Sequence, residues 1–135
     1  MEKIILDASV VIKWFTKEEG SDKAIVYLNS FCNNEIVILT PSLLFYELGN
    51  VLLNKKSPKN KVEKIKNRLQ DLQLEVKDMG VDWLQKIYEN SLNFSISFYD
   101  ASYITLMQKF DCEFVTADKK LYEKIKNKFT QIKLL

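Results

Sequence analysis

Four acidic residues stand inside or directly after apolar runs, where carboxylates are least expected. Asp7 follows Ile4-Ile5-Leu6, and Asp118 follows the run Glu113–Thr116. Glu47 lies within Leu43-Leu44-Phe45-Tyr46-Glu47-Leu48, and Asp100 opens the helical run Ala101-Ser102-Tyr103-Ile104. If folding brings the four together, they form a site for a hard cation such as Mg²⁺ or Mn²⁺. Both ions prefer oxygen ligands and keep several waters. The chain contains no histidine. That disfavours a zinc site, a Ser-His-Asp triad and a Cys-His pair. A metal-bound water can be activated without histidine, and metal ions can hold a phosphodiester in line for attack. Metal-dependent phosphodiester hydrolysis is the chemistry that this residue set fits.

Three of the four acids also have a local explanation. Asp7 and Asp118 are good helix N-caps, and Asp100 follows Ser97 at capping-box spacing. Glu47 has no such explanation. Leu43 lies one turn before it and Val51 one turn after, so it shares a line with apolar side chains. It either faces a cleft or reaches solvent from the rim of the core. Two unit charges ~4 Å apart repel by ~4 kcal/mol at an effective dielectric of ~20. Four carboxylates in one pocket therefore raise some pKa values unless cations neutralise them. Ser9 and Thr116 lie two residues from Asp7 and Asp118. Their hydroxyls could orient a carboxylate or a metal-bound water, or serve as local caps. Lys13, Lys119 and Lys120 could guide a phosphate backbone, or be ordinary surface lysines.

The elements that must position these residues alternate between β and helical patterns. Strands are predicted at Lys3–Leu6, Glu35–Leu39, Leu74–Lys77, Glu113–Thr116 and Gln131–Leu134. Helices are predicted at Ala8–Phe15 and Glu18–Asn33. Another is predicted from Thr40-Pro41 to about Lys55, because proline suits a first turn. Ser57-Pro58 restarts a helix carrying Val62, Ile65, Leu69 and Leu72. Val81–Leu92, Tyr99–Phe110 and a segment from Lys119 complete the set. This alternation predicts one α/β domain over residues 1–135, with a mainly parallel sheet covered on both faces. With strand order 3-2-1-4-5, strands 1 and 4 are neighbours. Asp7 and Asp118 then share the carboxyl edge of the sheet, where such folds bind ligands.

Composition narrows the rest. The chain has 135 residues, 47% of them hydrophobic, which suits a single core. No apolar run approaches the ~20 residues of a membrane span. Charge interrupts the N-terminus too early for a signal peptide, so a cytoplasmic location is expected. Cys32 and Cys112 match no metal or redox spacing and are expected to be reduced and mostly buried. The net charge is only +2, but Lys55, Lys56, Lys59, Lys61, Lys64, Lys66 and Arg68 crowd one stretch. Lys119, Lys120, Lys124, Lys126 and Lys128 crowd another. Such stretches either attract phosphates or form solvated helix surfaces. Trp14, Phe15, Phe45, Trp83 and Phe98 could stack on RNA bases, although most are expected in the core or in dimer contacts.

The run Leu6-Asp7-Ala8-Ser9-Val10-Val11-Ile12-Lys13-Trp14 resembles the opening of a PIN domain, especially in VapC-type toxins. Pro41–Leu52 resembles the glutamate-bearing helix of that family, Ser97–Tyr103 its third motif and Phe114–Leu121 its fourth. Four weak motifs in family order, spanning nearly the whole chain, make a specific signal together. The resemblance implies metal-dependent endoribonuclease activity with Mg²⁺ or Mn²⁺. It implies that Asp7, Glu47, Asp100 and Asp118 form the catalytic, metal-binding set, with Thr116 and Ser9 in support. It also implies a homodimer and a small cognate antitoxin as the toxin's partner. There are two departures: Lys109–Glu113 lacks the glycine common before the fourth motif, and Leu48 replaces a frequent valine. Two other readings are an RNA-processing nuclease without an antitoxin, and a PIN-like module that binds RNA or protein without cutting.

Overall fold

The computed structural model describes residues 1–135. Five strands form one sheet: β1 (Glu2–Leu6), β2 (Ile36–Pro41), β3 (Glu75–Lys77), β4 (Glu113–Thr116) and β5 (Ile132–Leu134). Their order is β3-β2-β1-β4-β5, as the sequence predicts, and every neighbouring pair is parallel. The helices are α1 (Ala8–Val11), α2 (Ser21–Cys32), α3 (Leu43–Asn54), α4 (Lys59–Leu72), α5 (Leu84–Phe94), α6 (Phe98–Phe110) and α7 (Lys119–Ile125).

Side chains alternate across a strand, so an apolar run buried on both faces supplies two cores. In β1, Ile4 and Leu6 enter one cluster while Ile5 enters the other. In β2, Ile36 and Ile38 separate from Leu39 in the same way, as Val115 does from Phe114 in β4. The first cluster lies under α1 to α4 and includes Val10, Ala24, Leu44, Leu48 and Ile65. The second lies under α5 to α7 and includes Ile87, Ile104, Met107 and Ile125. No helix is long and apolar enough to cross a membrane.

Several boundaries differ from the sequence expectation, each for a physical reason. The helix expected over Ala8–Phe15 is α-helical only to Val11 and tightens into a 3₁₀ turn at Ile12–Trp14. The β-branched run Val10-Val11-Ile12 has weak helix propensity. Helix α2 starts at Ser21 rather than Glu18, because Gly20 takes a left-handed φ of 86° at its N-cap. Thr40 and Pro41 belong to β2 and do not open the next helix. They pair with Val76 and Lys77 of β3, and α3 begins only at Leu43. Pro41 lies past the last pairing of β2 with β1, at Leu39, so its missing N–H is tolerated there. Where a glycine is common before β4, Asp111 takes the left-handed conformation with φ 47°. Its carboxylate accepts a hydrogen bond from Gln131 Nε2 at 2.7 Å. Cys112 is buried as expected, whereas Cys32 is exposed.

Candidate active site

The carboxyl edge of the sheet is built from strand ends that turn directly into helices. Asp7 follows β1, caps α1 and is buried. One carboxylate oxygen, Oδ1, accepts the Ser9 amide at 3.0 Å and also the Ser9 hydroxyl. The other, Oδ2, accepts the Thr116 hydroxyl at 2.6 Å. Thr116 is the last residue of β4, which lies beside β1 with Leu6 opposite Val115. Strand pairing thus carries the hydroxyl to the carboxylate across 109 residues of sequence. Ser9 Oγ accepts the Ala117 amide at 2.8 Å, and Thr116 Oγ1 accepts the Asp118 amide at 3.1 Å. These bonds fix the backbone that leads into Asp118. Asp118 itself is exposed and caps α7 by accepting the Leu121 amide at 3.1 Å.

Glu47 lies in the second turn of α3 and is half-buried. The Tyr103 hydroxyl donates to its Oε1 at 2.6 Å. Tyr103 is almost wholly buried and stacks on Phe114, with ring centroids 5.5 Å apart and 6° between planes. Asp100 is half-buried one turn before Tyr103 on α6. It lies inside the first turn rather than before the helix, because Ser97 is the cap. The Ser97 hydroxyl accepts the Asp100 amide at 3.0 Å.

Burial is the main influence on these groups. It raises the Asp7 pKa from 3.8 to about 6, against the lowering effects of Ser9 and Thr116, and Glu47 adds to the rise. Burial also raises the pKa of Glu47, opposed by the Tyr103 hydrogen bond and helped by Asp100. For Asp100, burial and then Asp118 raise the pKa, while Ser97 and Lys124 oppose. Tyr103 is pushed up by burial and by the Glu47 charge, so it remains a protonated donor. The fields link the acids in series, Asp7 to Glu47, Glu47 to Asp100, and Asp100 to Asp118. All four residues singled out in the sequence therefore lie in one electrostatic neighbourhood, drawn from four separate segments.

No three acidic or cysteine side chains stand at the separation that one ion requires. Mg²⁺ and Mn²⁺ need only about one or two direct carboxylates, with waters filling the remaining positions. The donors are all oxygen, and none of the four acids forms a salt bridge with a lysine or arginine. This set fits a hydrated divalent cation.

The basic candidates divide. Lys119 and Lys120 are exposed in the first turn of α7, without ion-pair partners. Lys13 is engaged elsewhere, donating to Glu18 at 2.9 Å and to the Glu19 carbonyl at 2.7 Å. Lys13 and then Thr16 hold the Glu18 carboxyl down at about 2. Lys13 and Lys119 do share the lining of a polar cavity of about 320 Å³ beside Ala117. Among the aromatics, Trp14 is in the core, where its indole donates to the Ala24 carbonyl at 2.9 Å. Phe15 and Trp83 pack against the two clusters, whereas Phe45 and Phe98 remain partly exposed. The residue not singled out from the sequence is Tyr103. Its position three residues after Asp100 puts both on one helix face, and that was the available signal.

A family model described as PIN domain matches residues 4–127. No curated protein matches the chain by sequence. Solved structures resemble it in fold. VapBC2 from Rickettsia felis, solved bound to a DNA fragment from its promoter, has a TM-score of 0.72 at 16% identity, covering 98% of each chain. VapC20 from Mycobacterium tuberculosis, described as a sarcin–ricin-loop-cleaving toxin, has a TM-score of 0.69 at 17% identity, covering 89% of this chain and 93% of that one. FitAcB from Neisseria gonorrhoeae has a TM-score of 0.62 at 15% identity, covering 98% and 96%.

Proposed function

Because this chain belongs to the PIN domain family, we propose that its carboxylate edge is the active site of a divalent-metal-dependent endoribonuclease. Residues 1–135 are taken as the nuclease unit. One observation carries the reading: a buried carboxylate, Asp7, is held by two hydroxyls beside the charge of Glu47, and no lysine or arginine is paired to Asp7, Glu47, Asp100 or Asp118. A structural core gains nothing from that arrangement. Asp7 and Asp118 would hold a Mg²⁺ or Mn²⁺ ion, with Asp100 joining directly or through water. Glu47 would hold a second ion or orient the attacking water. When bound, such an ion polarises the phosphodiester and lowers the pKa of a coordinated water.

The chain's own contribution is orientation and charge. Ser9 and Thr116 fix both oxygens of Asp7. Tyr103 fixes one oxygen of Glu47 and opposes the rise in its pKa that burial causes. Lys119 and Lys120, at the mouth of the site beside Asp118, offer the RNA backbone two unpaired cations. RNA as substrate is supported by the structural neighbour described as cleaving the sarcin–ricin loop. The same description supports a toxin role; a cytoplasmic location, a small cognate antitoxin as partner and a homodimer complete the proposal.

Incubation with total RNA plus Mg²⁺ or Mn²⁺ should give discrete fragments, and EDTA should abolish them. Cleavage that survives EDTA would overturn the metal-dependent reading. The acidity of the site adds a second expectation. The ion binds the carboxylate form, so it competes with a proton on Asp7, whose pKa is about 6. Apparent Mn²⁺ affinity should be level above pH 7 and fall by about tenfold per pH unit below ~6, with proton release on binding. Calorimetry in two buffers of different ionisation enthalpy measures both. Affinity that does not change between pH 5 and 7 would remove Asp7 from the ion's ligands.

A further inference from the structure

The basic stretch at the hairpin of α3 and α4 is not absorbed by the site described above. Residues 55–68 hold seven of the chain's 20 cations and one of its 18 acids, which leaves 13 cations against 17 acids elsewhere. The remainder of the protein is thus net acidic, its own lysine cluster on and after α7 notwithstanding. Lys55 pairs with Glu18 at 3.2 Å. The other six, Lys56, Lys59, Lys61, Lys64, Lys66 and Arg68, make no salt bridge and no side-chain hydrogen bond.

Five of these six lie on α4, and their placement there is ordered. Ile65 and Leu72 are buried and Leu69 packs beside them, which fixes the inward face, while Val62 lines the trough between α3 and α4. Lys59 and Lys66 lie on one flank, where they border the apolar trough between α3 and α4. Lys61, Lys64 and Arg68 fall on the other flank at i, i+3 and i+7, outside that trough. Neighbours at three- and four-residue spacing stand about 5–6 Å apart, so these three form a row of cations along the helix. The row starts near the hairpin tip, and α3 leads from that tip back to Glu47 over a rise of about 12 Å.

We infer that the outer flank of α4, through Lys61, Lys64 and Arg68, is an RNA-backbone-binding track that holds the substrate outside the carboxylate edge. The inference rests on the nuclease reading of that edge. Its logic is electrostatic. A site made of carboxylates cannot attract phosphates by itself, so the attraction must come from cations that do not neutralise the acids. A row of cations on a neighbouring helix, with Lys64 and Arg68 exposed and Lys61 partly so, supplies it without sequence preference. An acidic protein segment is the other polyanion such a row could take. The row lies away from the apolar trough that a folded peptide would require, and that favours RNA.

The test removes the row with a Lys61→Gln/Lys64→Gln/Arg68→Gln variant, which keeps helix propensity. The expected result is a KM for RNA raised about tenfold with kcat within twofold of wild type. Single-stranded RNA binding is then measured by anisotropy in an Asp7→Asn background, where nothing is cut. The slope of log affinity against log salt should fall by about 2, at ~0.7 per lost contact. A control variant, Lys17→Gln/Lys86→Gln/Lys109→Gln, removes the same charge elsewhere and should leave both readouts unchanged. If the control raises KM equally, net charge and not the track is responsible, and the inference falls. It also falls if the row variant leaves KM and salt slope intact, or if it loses a poly-glutamate peptide while keeping RNA. If wild type cuts no RNA yet the salt slope still drops in the row variant, the nuclease reading fails and the track stands.

Discussion

Asp7→Asn is expected to abolish RNA cleavage and, in the metal-free protein at pH 7, to raise the melting temperature. Activity should fall by ~10³-fold, equivalent to about 4 kcal/mol of lost transition-state stabilisation. The stability gain follows from linkage. The carboxyl pKa in the fold is about 6 against an ordinary 3.8, because burial penalises the charged form. A folded-state pKa raised in this way contributes stability that is complete below about pH 4 and lost as the pH rises through ~6. At pH 7 wild type therefore carries a penalty of about 3 kcal/mol. Asparagine carries no charge. Its carbonyl can accept from Ser9 and its amide can donate to Thr116 Oγ1, so the local hydrogen bonds have substitutes. A gain of about 1–3 kcal/mol should appear as a rise of several degrees at pH 7 and vanish near pH 4. Mn²⁺ should stabilise wild type and not the variant. Thermal unfolding at pH 4, 5.5 and 7 measures this, and an offset that is independent of pH would refute burial of a charged carboxylate as its cause.

Tyr103 carries the second large expectation, and two substitutions separate its two roles. Tyr103→Ala removes a buried ring stacked on Phe114 and should cost about 3–5 kcal/mol of stability. Tyr103→Phe keeps the ring and removes only the hydroxyl that donates to Glu47. It should cost about 1–2 kcal/mol in stability while lowering kcat by ~10–100-fold. The pH profile distinguishes positioning from packing. The Tyr103 hydrogen bond lowers the Glu47 pKa, so its loss should move the acidic limb of the rate profile to higher pH. A Tyr103→Phe enzyme with wild-type kcat and an unmoved limb would confine Tyr103 to the core.

The acidic site was legible to different degrees at its different residues. Asp7 and Asp118 stood out because each follows a strand and precedes a helix, and the 3-2-1-4-5 order made those two strands neighbours. Glu47 stood out because a charged side chain interrupted an apolar line. Asp100 was visible as a capping-box residue, although the helix begins two residues before it. Tyr103 was not distinguishable from other core aromatics, since its hydroxyl acquires meaning only when folding brings α6 to Glu47 of α3. Lys13 showed the opposite failure. Beside Asp7 in sequence it reads as a free cation, but the loop before α2 folds Glu18 onto it. The boundary at Pro41 was misplaced because proline suits both a helix start and a strand end. Pairing with Lys77, which no local pattern reveals, decided between them.

The sequence by itself determined the strand and helix alternation, the two-sided core and the kind of chemistry available. Those follow from side-chain period and residue type, which are local. Only the tertiary structure decided which charges the acids feel, which hydroxyls hold Asp7 and Glu47, and which lysines remain free. Burial, partner and field are properties of residues distant in sequence. The rise of the Asp7 pKa to about 6 comes from the exclusion of water and the charge of Glu47, and it stands against the lowering hydrogen bonds from Ser9 and from Thr116 on a distant strand.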